Sequence, residues 1–299
     1  MTNDDFKCGY VAIVGRPNVG KSTLLNHILG QKLSITSRKP QTTRHQIVGV
    51  KTDTSCQAIY VDTPGLHKKN DNAINRYMNR AASSVVSDVD VVLFVVQAPM
   101  FTEDDEEALK HLSNTSVPVL LVINKVDLVD DKEKLLPFIE KLSALYAFED
   151  IIPVSALKSK GLDQLEKLIA TCLPVNAAIF PDDQITDRSM RFLAAEIIRE
   201  KLIRELGQEL PYTTTVDIEK YKEEDDLTSI FATIYVESKG QKTIIIGKKG
   251  SRLKSIGSKA RKDIEEMVGG KVYIQLWVKI REGWSNDEQA LRGLGYSLE

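Results

Sequence analysis

The 299-residue sequence predicts an α/β domain, with a mostly parallel sheet and helices on both faces, followed by a smaller α+β domain. Three observations carry this expectation. In the first half, near-continuous apolar runs alternate with helical stretches, the pattern of strands buried on both faces and joined by crossover helices. After Leu173 the alternation stops at Pro174–Asp187, a stretch with Pro174, Pro181, Asp182 and Asp183 and no amphipathic period, which reads as a linker. Beyond it the order changes to helix, two strands, a glycine-lysine loop, helix and strand. The domains are therefore placed at 1–173 and 188–299, joined by 174–187. With 42% apolar and 27% charged residues, neither part has the composition of a disordered chain.

Taken in order, strands are expected at Tyr10–Val14, Ala58–Val61, Val89–Val96, Val117–Ile123 and Ile151–Val154. Helices are expected at Lys21–Leu29, Asn72–Ser83, Glu103–Leu112, Lys132–Leu145 and Leu162–Cys172. The second domain begins with a helix near Arg188–Leu206, then strands near Thr213–Ile218 and Ser229–Glu237, a helix after the glycine-lysine loop, and a strand at Lys271–Ile280. Ser285 and Glu288 have capping-box spacing for a last short helix reaching Leu294. Trp277, Trp284 and Tyr296 read as core or packing residues rather than as platforms for nucleic-acid bases.

Several function classes drop out. The apolar runs reach strand length and fall far short of the roughly 18 residues of a membrane span. Met1–Lys7 carries Asp4 and Asp5 and no apolar block, so it does not resemble a signal peptide, and a cytoplasmic location is expected. Cys8, Cys56 and Cys172 lie far apart without metal-ligand spacing, which argues against a zinc site. Forty basic residues against 42 acidic ones leave a formal charge of -2, so any nucleic-acid surface must be a local patch.

Gly15-Arg16-Pro17-Asn18-Val19-Gly20-Lys21-Ser22 fits GxxxxGK[ST] and lies between the first expected strand and the first expected helix, which begins with Lys21, Ser22 and Thr23. Glycines in such a loop let backbone N–H groups ring phosphates, the lysine reaches the outer phosphate oxygens, and the Ser22 hydroxyl suits Mg²⁺. Asn124-Lys125-Val126-Asp127 follows a buried strand. An ionised Asp127 accepts from the N1–H and amino group of guanine and finds no matching donors on adenine. Lys125 can lie along the purine face and Asn124 can tie this loop to the phosphate loop. Ser155 and Ala156, after the next strand, would offer backbone N–H groups to guanine O6. Asp62-Thr63-Pro64-Gly65 ends another strand, with Asp62 placed to hold Mg²⁺ through water and the Gly65 N–H to meet a terminal phosphate. Between Lys32 and Gln46, the segment Gln41-Thr42-Thr43-Arg44 is a candidate switch loop. Spacing does not separate its two threonines; Thr43 is preferred as the one that closes on Mg²⁺. Lys21, Thr43, Asp62 and Gly65 are the expected catalytic set.

These motifs, over about residues 8–173, resemble those of translation-factor-related GTPases in their standard order. Leu66 follows the DxxG glycine where Ras-like GTPases carry a water-orienting glutamine, so slow intrinsic turnover and activation by a partner are expected. Asn18 resembles the asparagine that helps hold K⁺ in several bacterial GTPases of this branch; a loop-stiffening hydrogen bond is the alternative.

In the second half, Ile246, Gly247, Lys248, Lys249, Gly250, Arg252 and Lys254 belong to an apolar-IGxxG segment opening a helix, which matches the core of a KH domain. From Lys242 to Lys262 there are eight Lys or Arg and no acid, a local patch of the required kind. The element order resembles the type II arrangement. A P-loop GTPase domain followed by a type II KH domain, with Leu66 after DTPG and the Gln41-Thr42-Thr43-Arg44-His45 segment, resembles the bacterial Era family. That resemblance implies hydrolysis of GTP to GDP and phosphate, binding near the 3′ end of small-subunit ribosomal RNA, and a switch role in assembly of the 30S subunit. It also implies loose peripheral attachment to the inner membrane, and a monomer is expected. A tRNA-modifying or membrane-acting GTPase would share the first domain but needs no single-strand groove. An RNA-binding protein with a decayed nucleotide site would lack turnover.

Overall fold

The computed structural model describes residues 5–37, 39, 42–65, 72–85, 88–206 and 213–296. The chain divides into two compact units. One runs to Asp187, and one begins at Arg188 and takes in the short segments Ser37–Thr42 and Asn72–Ile74.

The first unit is built on a six-stranded sheet of β1 (Lys7–Val14), β2 (Ile47–Thr52), β3 (Cys56–Asp62), β4 (Val91–Gln97), β5 (Val119–Asn124) and β6 (Asp150–Pro153), in the order β2-β3-β1-β4-β5-β6. Every neighbouring pair is parallel except β2 with β3. Parallel strands covered on both faces read as near-continuous apolar runs, and β3 and β5 are buried at every position, the polar Gln57, Asp62 and Asn124 included. The helices are α1 (Lys21–Leu29), α2 (Ala73–Val85), α3 (Glu103–Lys110), α4 (Leu135–Ser143) and α5 (Leu162–Cys172). Leu24, Leu25 and Ile28 of α1 and Leu165 and Ile169 of α5 pack with one face of the sheet. Ala108 of α3 and Leu142 of α4 pack with the other. Helices α1 and α5 have the expected bounds, and β2, an antiparallel edge strand that joins no crossover unit, was not expected.

The Pro174–Asp187 stretch is not a free tether within this unit. It runs along the sheet edge, where the Val50 N–H donates to Ile185 O at 2.8 Å and Thr186 Oγ1 donates to Val48 O at 2.7 Å. Gln57, wholly buried in β3, accepts from the amides of Ile179 (2.8 Å) and Phe180 (2.9 Å) and donates to Phe180 O (2.8 Å).

The second unit has strands β7 (Thr215–Glu224), β8 (Leu227–Val236) and β9 (Lys271–Ile280), with β7 and β8 antiparallel and β8 and β9 parallel. Parallel pairing requires a crossover, and two helices supply it, α7 (Lys239–Ile246) and α8 (Ser251–Val268). Helix α7 was not expected. It is short, and its start is marked by a capping box between Ser238 and Gln241. Helix α6 (Met190–Glu205) packs Ala194, Ile197 and Ile198 with Ala260 and Ile264 of α8 against Ile218, Ile230 and Ala232 of the sheet.

Two expectations need correction here. The last helix, α9 (Glu288–Gly293), is capped by Asp287, whose carboxylate accepts from Gln289 and Ala290, while the Ser285 hydroxyl donates to Glu237. Trp284 and Tyr296 are core as expected, but Trp277 is 38% exposed and stacks on Phe231 at 6.0 Å. Position on the strand decides this: in β9 the even-numbered residues turn toward the helices, so odd-numbered Trp277 lies on the open face.

Gln57→Ala would leave the Ile179 and Phe180 amides without their side-chain acceptor. It is expected to cost about 2 kcal/mol in denaturant unfolding of the first unit. A loss below about 0.5 kcal/mol would show that the side chain contributes nothing to holding this stretch.

Candidate nucleotide and nucleic-acid sites

The parallel strands end on one edge, where Ile13 pairs with Asp62, Val14 with Phe94, Gln97 with Asn124 and Ile123 with Pro153. Strand β1 has β3 on one side and β4 on the other, so the winding direction reverses at Val14. Open α/β sheets bind ligands at this point.

The loop Gly15–Gly20 fills the reversal. At Gly20 φ is 107°, and a side chain there would run into Asn124 Nδ2, so glycine is required both by conformation and by space. Asn18 has φ 64°, which asparagine tolerates better than most residues. Lys21 Nζ is buried and donates to Gly15 O (2.8 Å) and Arg16 O (3.0 Å). Burial pulls its pKa down to about 8, against the opposing pull of Asp62. The Arg16 side chain leaves the loop and pairs with buried Asp105 at 2.9 Å, so only its backbone faces the crevice. Asp105 also accepts from Thr102 N and Oγ1, each at 2.9 Å, and so caps α3. Gly65 lies against Pro17, with no room for a Cβ between them, and Thr63 Oγ1 donates to Ile13 O at 2.9 Å. Thr23 lies in the first turn of α1.

Asp62 is the centre of a polar cluster. Its Oδ2 accepts from Ser22 Oγ and from Ser34 Oγ, each at 2.7 Å, and Ser22 Oγ lies 2.8 Å from Thr43 Oγ1. Among the described residues, Asp62 Oδ1 is buried without a hydrogen-bond partner. Burial raises the Asp62 pKa, with Lys21 and the three hydroxyls pulling it back. An unsatisfied buried carboxylate oxygen beside two hydroxyls is a set of hard oxygen donors that fits Mg²⁺. The structure also separates the two threonines. The Thr42 hydroxyl is taken up with Lys39 O (2.6 Å) and Ser37 Oγ (2.7 Å), while Thr43 joins Ser22. Leu66 and Gln41 lie outside the described residues.

Asn124 joins three loops. Its Nδ2 donates to Val19 O at 2.9 Å, and its Oδ1 accepts from the amides of Lys125 (2.7 Å) and Ala156 (3.0 Å). Lys125, at φ 62°, donates through Nζ to Asn18 O (2.6 Å) and Gln97 Oε1 (2.7 Å). Asp127 Oδ1 accepts from Ser155 Oγ at 2.5 Å, and the Val126 amide donates to Val154 O. The Ser155 and Ala156 amides donate to Lys160 O and Asn124 Oδ1, and through the Ser155 hydroxyl and the Ala156 amide the pair contacts Asp127 and Asn124 of the base-facing loop. Three contributors escaped sequence reasoning. Gln97 is visible as the polar residue ending an apolar run at the ligand edge, and Asp105 as the fourth residue of Thr102-x-x-Asp105. Nothing local marks Ser34.

In the second unit, Gly247 (φ 72°), Lys249 (φ 51°) and Gly250 (φ 78°) turn the chain between α7 and α8. A side chain at Gly247 would meet Arg252 Cβ, while Gly250 has open space and needs glycine for conformation alone. Lys248, Lys249 and Lys254 are exposed, Ile246 is half-buried, and Arg252 donates to Ile244 O at 2.6 Å. The basic patch is smaller than the sequence count. Lys259 pairs with Glu205 and Arg261 with Glu265, leaving the positive charge concentrated at the loop.

Fold and sites define a P-loop GTPase joined to a KH domain. Residues 10–125 match the family described as 50S ribosome-binding GTPase, and residues 209–285 match the KH domain. The chain is 58% identical over 290 residues to GTPase Era of Ectopseudomonas mendocina, covering 97% of each. It is 57% identical over 297 residues to GTPase Era of Azotobacter vinelandii, covering 99% of each. A crystal structure of a point variant of Aquifex aeolicus Era, bound to GDP and aluminium fluoride, superposes with a TM-score of 0.95 at 40% identity, over 98% of this chain and 100% of that one. Era in complex with MgGDPNP and nucleotides 1506–1542 of 16S ribosomal RNA matches with the same score, identity and coverage. The chain belongs to the Era family of GTPases.

The Lys21 amine, held near pKa 8 in the ligand-free chain, regains its proton when an anion replaces the carbonyls around it. Binding of GDP at pH 8.5 is therefore expected to take up between half and one proton. Calorimetry in two buffers of different ionisation enthalpy measures this, and Lys21→Met should abolish the uptake.

Proposed function

We propose that this GTPase carries out its turnover with Lys21, Thr43, Asp62 and Gly65 and binds, through the GKKG loop, single-stranded RNA at the 3′ end of 16S ribosomal RNA, as a switch in assembly of the 30S subunit. The observation that carries the first half is that Ser22 and Thr43 gather at Asp62 beside Lys21, with Ser22 on Asp62 Oδ2 and Oδ1 left unsatisfied among the described residues. Ser22 and Thr43 would hold Mg²⁺ directly and Asp62 through water; the ion supplies charge neutralisation on the phosphates. The amides of Gly15–Ser22 with Thr23 cradle the phosphates, with Pro17 and Val19 setting the loop's path. Asp62-Thr63-Pro64-Gly65 would face the terminal phosphate, and Leu66, next in sequence, offers no side-chain hydrogen bond to orient water. Asn124, Lys125, Val126 and Asp127 select guanine, supported by Ser155 and Ala156. This selection rests on Asp127 accepting two donors that adenine lacks.

The KH reading is supported by the Era complex with nucleotides 1506–1542 of 16S ribosomal RNA and by the exposed lysines at the tip of a glycine-bounded turn. Ile246, Gly247, Lys248, Lys249, Gly250, Arg252 and Lys254 form the proposed contact, with glycines admitting the sugar-phosphate backbone. Family membership further supports a monomer working in the cytoplasm with loose peripheral attachment to the inner membrane, and K⁺ held with the help of Asn18. Among the described residues, no helix is long and apolar enough to cross a membrane.

Lys248→Ala with Lys249→Ala is expected to weaken binding to a labelled RNA carrying the 16S 3′-terminal sequence and to reduce its salt slope by about 1.4, two phosphate contacts at about 0.7 each. An unchanged slope would remove the loop from the interface. The same titration in GDP and in a non-hydrolysable GTP analogue measures the switch, since tighter RNA binding in one state requires reciprocal tightening of that nucleotide by RNA. For Asn18, hydrolysis should be faster in K⁺ than in Na⁺, and Asn18→Ala should erase the difference.

A further inference from the structure

We infer that Ser34 is a positioning residue for the metal-site carboxylate, held in place by Asn26 of α1. The inference deepens the proposed reading of Asp62 and rests on it.

Asp62 has two donors on Oδ2, and they differ in kind. Ser22 belongs to the phosphate loop and is itself one of the groups proposed to hold the ion, so its hydroxyl is answerable to whatever occupies the site. Ser34 belongs to neither motif. It is wholly buried, and its hydroxyl has Asp62 as its one hydrogen-bond acceptor among the described residues. It lies in the Lys32–Gln46 segment, ahead of Thr43. Asn26 grips it on both sides: Asn26 Oδ1 accepts from the amides of Leu33 (3.0 Å) and Ser34 (2.9 Å), and Asn26 Nδ2 donates to Ser34 O at 2.7 Å. Three hydrogen bonds from a helical side chain leave the Ser34 backbone little freedom, and the turn after α1 closes on Gly30.

The result is a strut from α1 to the end of β3. A carboxylate held by Oδ2 alone keeps a defined rotation about its Cβ–Cγ bond and leaves Oδ1 as the unsatisfied oxygen. Without Ser34, the hydroxyls left at Asp62 are those of the metal site itself, Ser22 and Thr43. Rotation of the carboxylate then costs less, and the ion must bring order that the protein otherwise supplies in advance. Asp62, Ser22 and Thr43 would all remain, so the effect should fall on metal affinity and leave metal-free nucleotide binding unaltered.

The test follows dissociation of a fluorescently labelled GDP from the full chain as Mg²⁺ is titrated, with GDP affinity in EDTA measured alongside. Ser34→Ala is expected to raise the Mg²⁺ concentration that half-maximally slows GDP release by five- to tenfold, with affinity in EDTA within twofold of wild type. Asn26→Ala, which frees the turn but keeps the hydroxyl, should shift the midpoint in the same direction by less, and it serves as the readout if Ser34→Ala does not fold. Asp62→Asn is run in parallel. If Asp62→Asn shifts the midpoint and both other variants leave it unmoved, or if they weaken GDP equally with and without Mg²⁺, the strut is overturned and the metal-site reading stands. If Asp62→Asn itself leaves the midpoint unmoved, the metal-site reading falls.

Discussion

One side-chain amide holds the nucleotide half of this molecule together. Asn124 spends its donor on the phosphate loop and its acceptor on two further loops, so the phosphate-facing and base-facing parts of the crevice are fixed against each other by hydrogen bonds at 2.7 to 3.0 Å. A buried amide bonded at both its nitrogen and its oxygen is rigid because each alternative leaves a polar atom unpaired in a low-dielectric interior. The rest follows from that rigidity. Gly20 has no side chain because Asn124 Nδ2 occupies the space one would need. Lys125 can cross to Asn18 O only because the two loops are already clamped together.

Most of the site was legible in the sequence because its chemistry is local. Phosphate loop, DTPG and NKVD each put their groups on consecutive residues at the end of a strand, and the periodic apolar runs say where strands end. What was not legible is what long-range packing decides. Strand β2 fits no crossover pattern, α7 is too short for a clear period, and Ser34 matters only because Asn26 turns it toward Asp62. Ser155 and Ala156 show the same limit from the other side. Their position was readable, but the partners of their amides depend on Asn124 from another strand and on the turn back to Lys160. Likewise the eight basic residues of Lys242–Lys262 are contiguous in sequence, yet acids on α6 and α8 neutralise two of them in space.

The second unit solves a different problem with related parts. Both sites hold a glycine-bounded loop that opens a helix, and both place residues at positive φ where the backbone must come close to a ligand. The phosphate loop sits at a sheet edge among buried groups, and its lysine is buried. The GKKG loop stands between two helices with its lysines in solvent. Burial explains why Lys21 is pulled toward neutrality. The GKKG lysines, exposed to solvent, carry no such burial.

That contrast has consequences for a chain of net charge -2 that must hold two kinds of polyanion. An enclosed site gains from low dielectric: each dipole aimed at a phosphate counts for more, and salt screens it little. It can therefore tell one terminal phosphate from none. An exposed basic turn gains affinity mainly by displacing counterions, which is strong, adjustable by salt and nearly blind to what the anion is. On the proposed reading, selectivity for RNA must then come from groups beside the turn, such as half-buried Ile246, rather than from the lysines. Discrimination of nucleotide state and capture of RNA are thus assigned to opposite electrostatic regimes. The division is physically economical because a buried RNA groove could not release its strand quickly, and an exposed nucleotide site could not read a single phosphate.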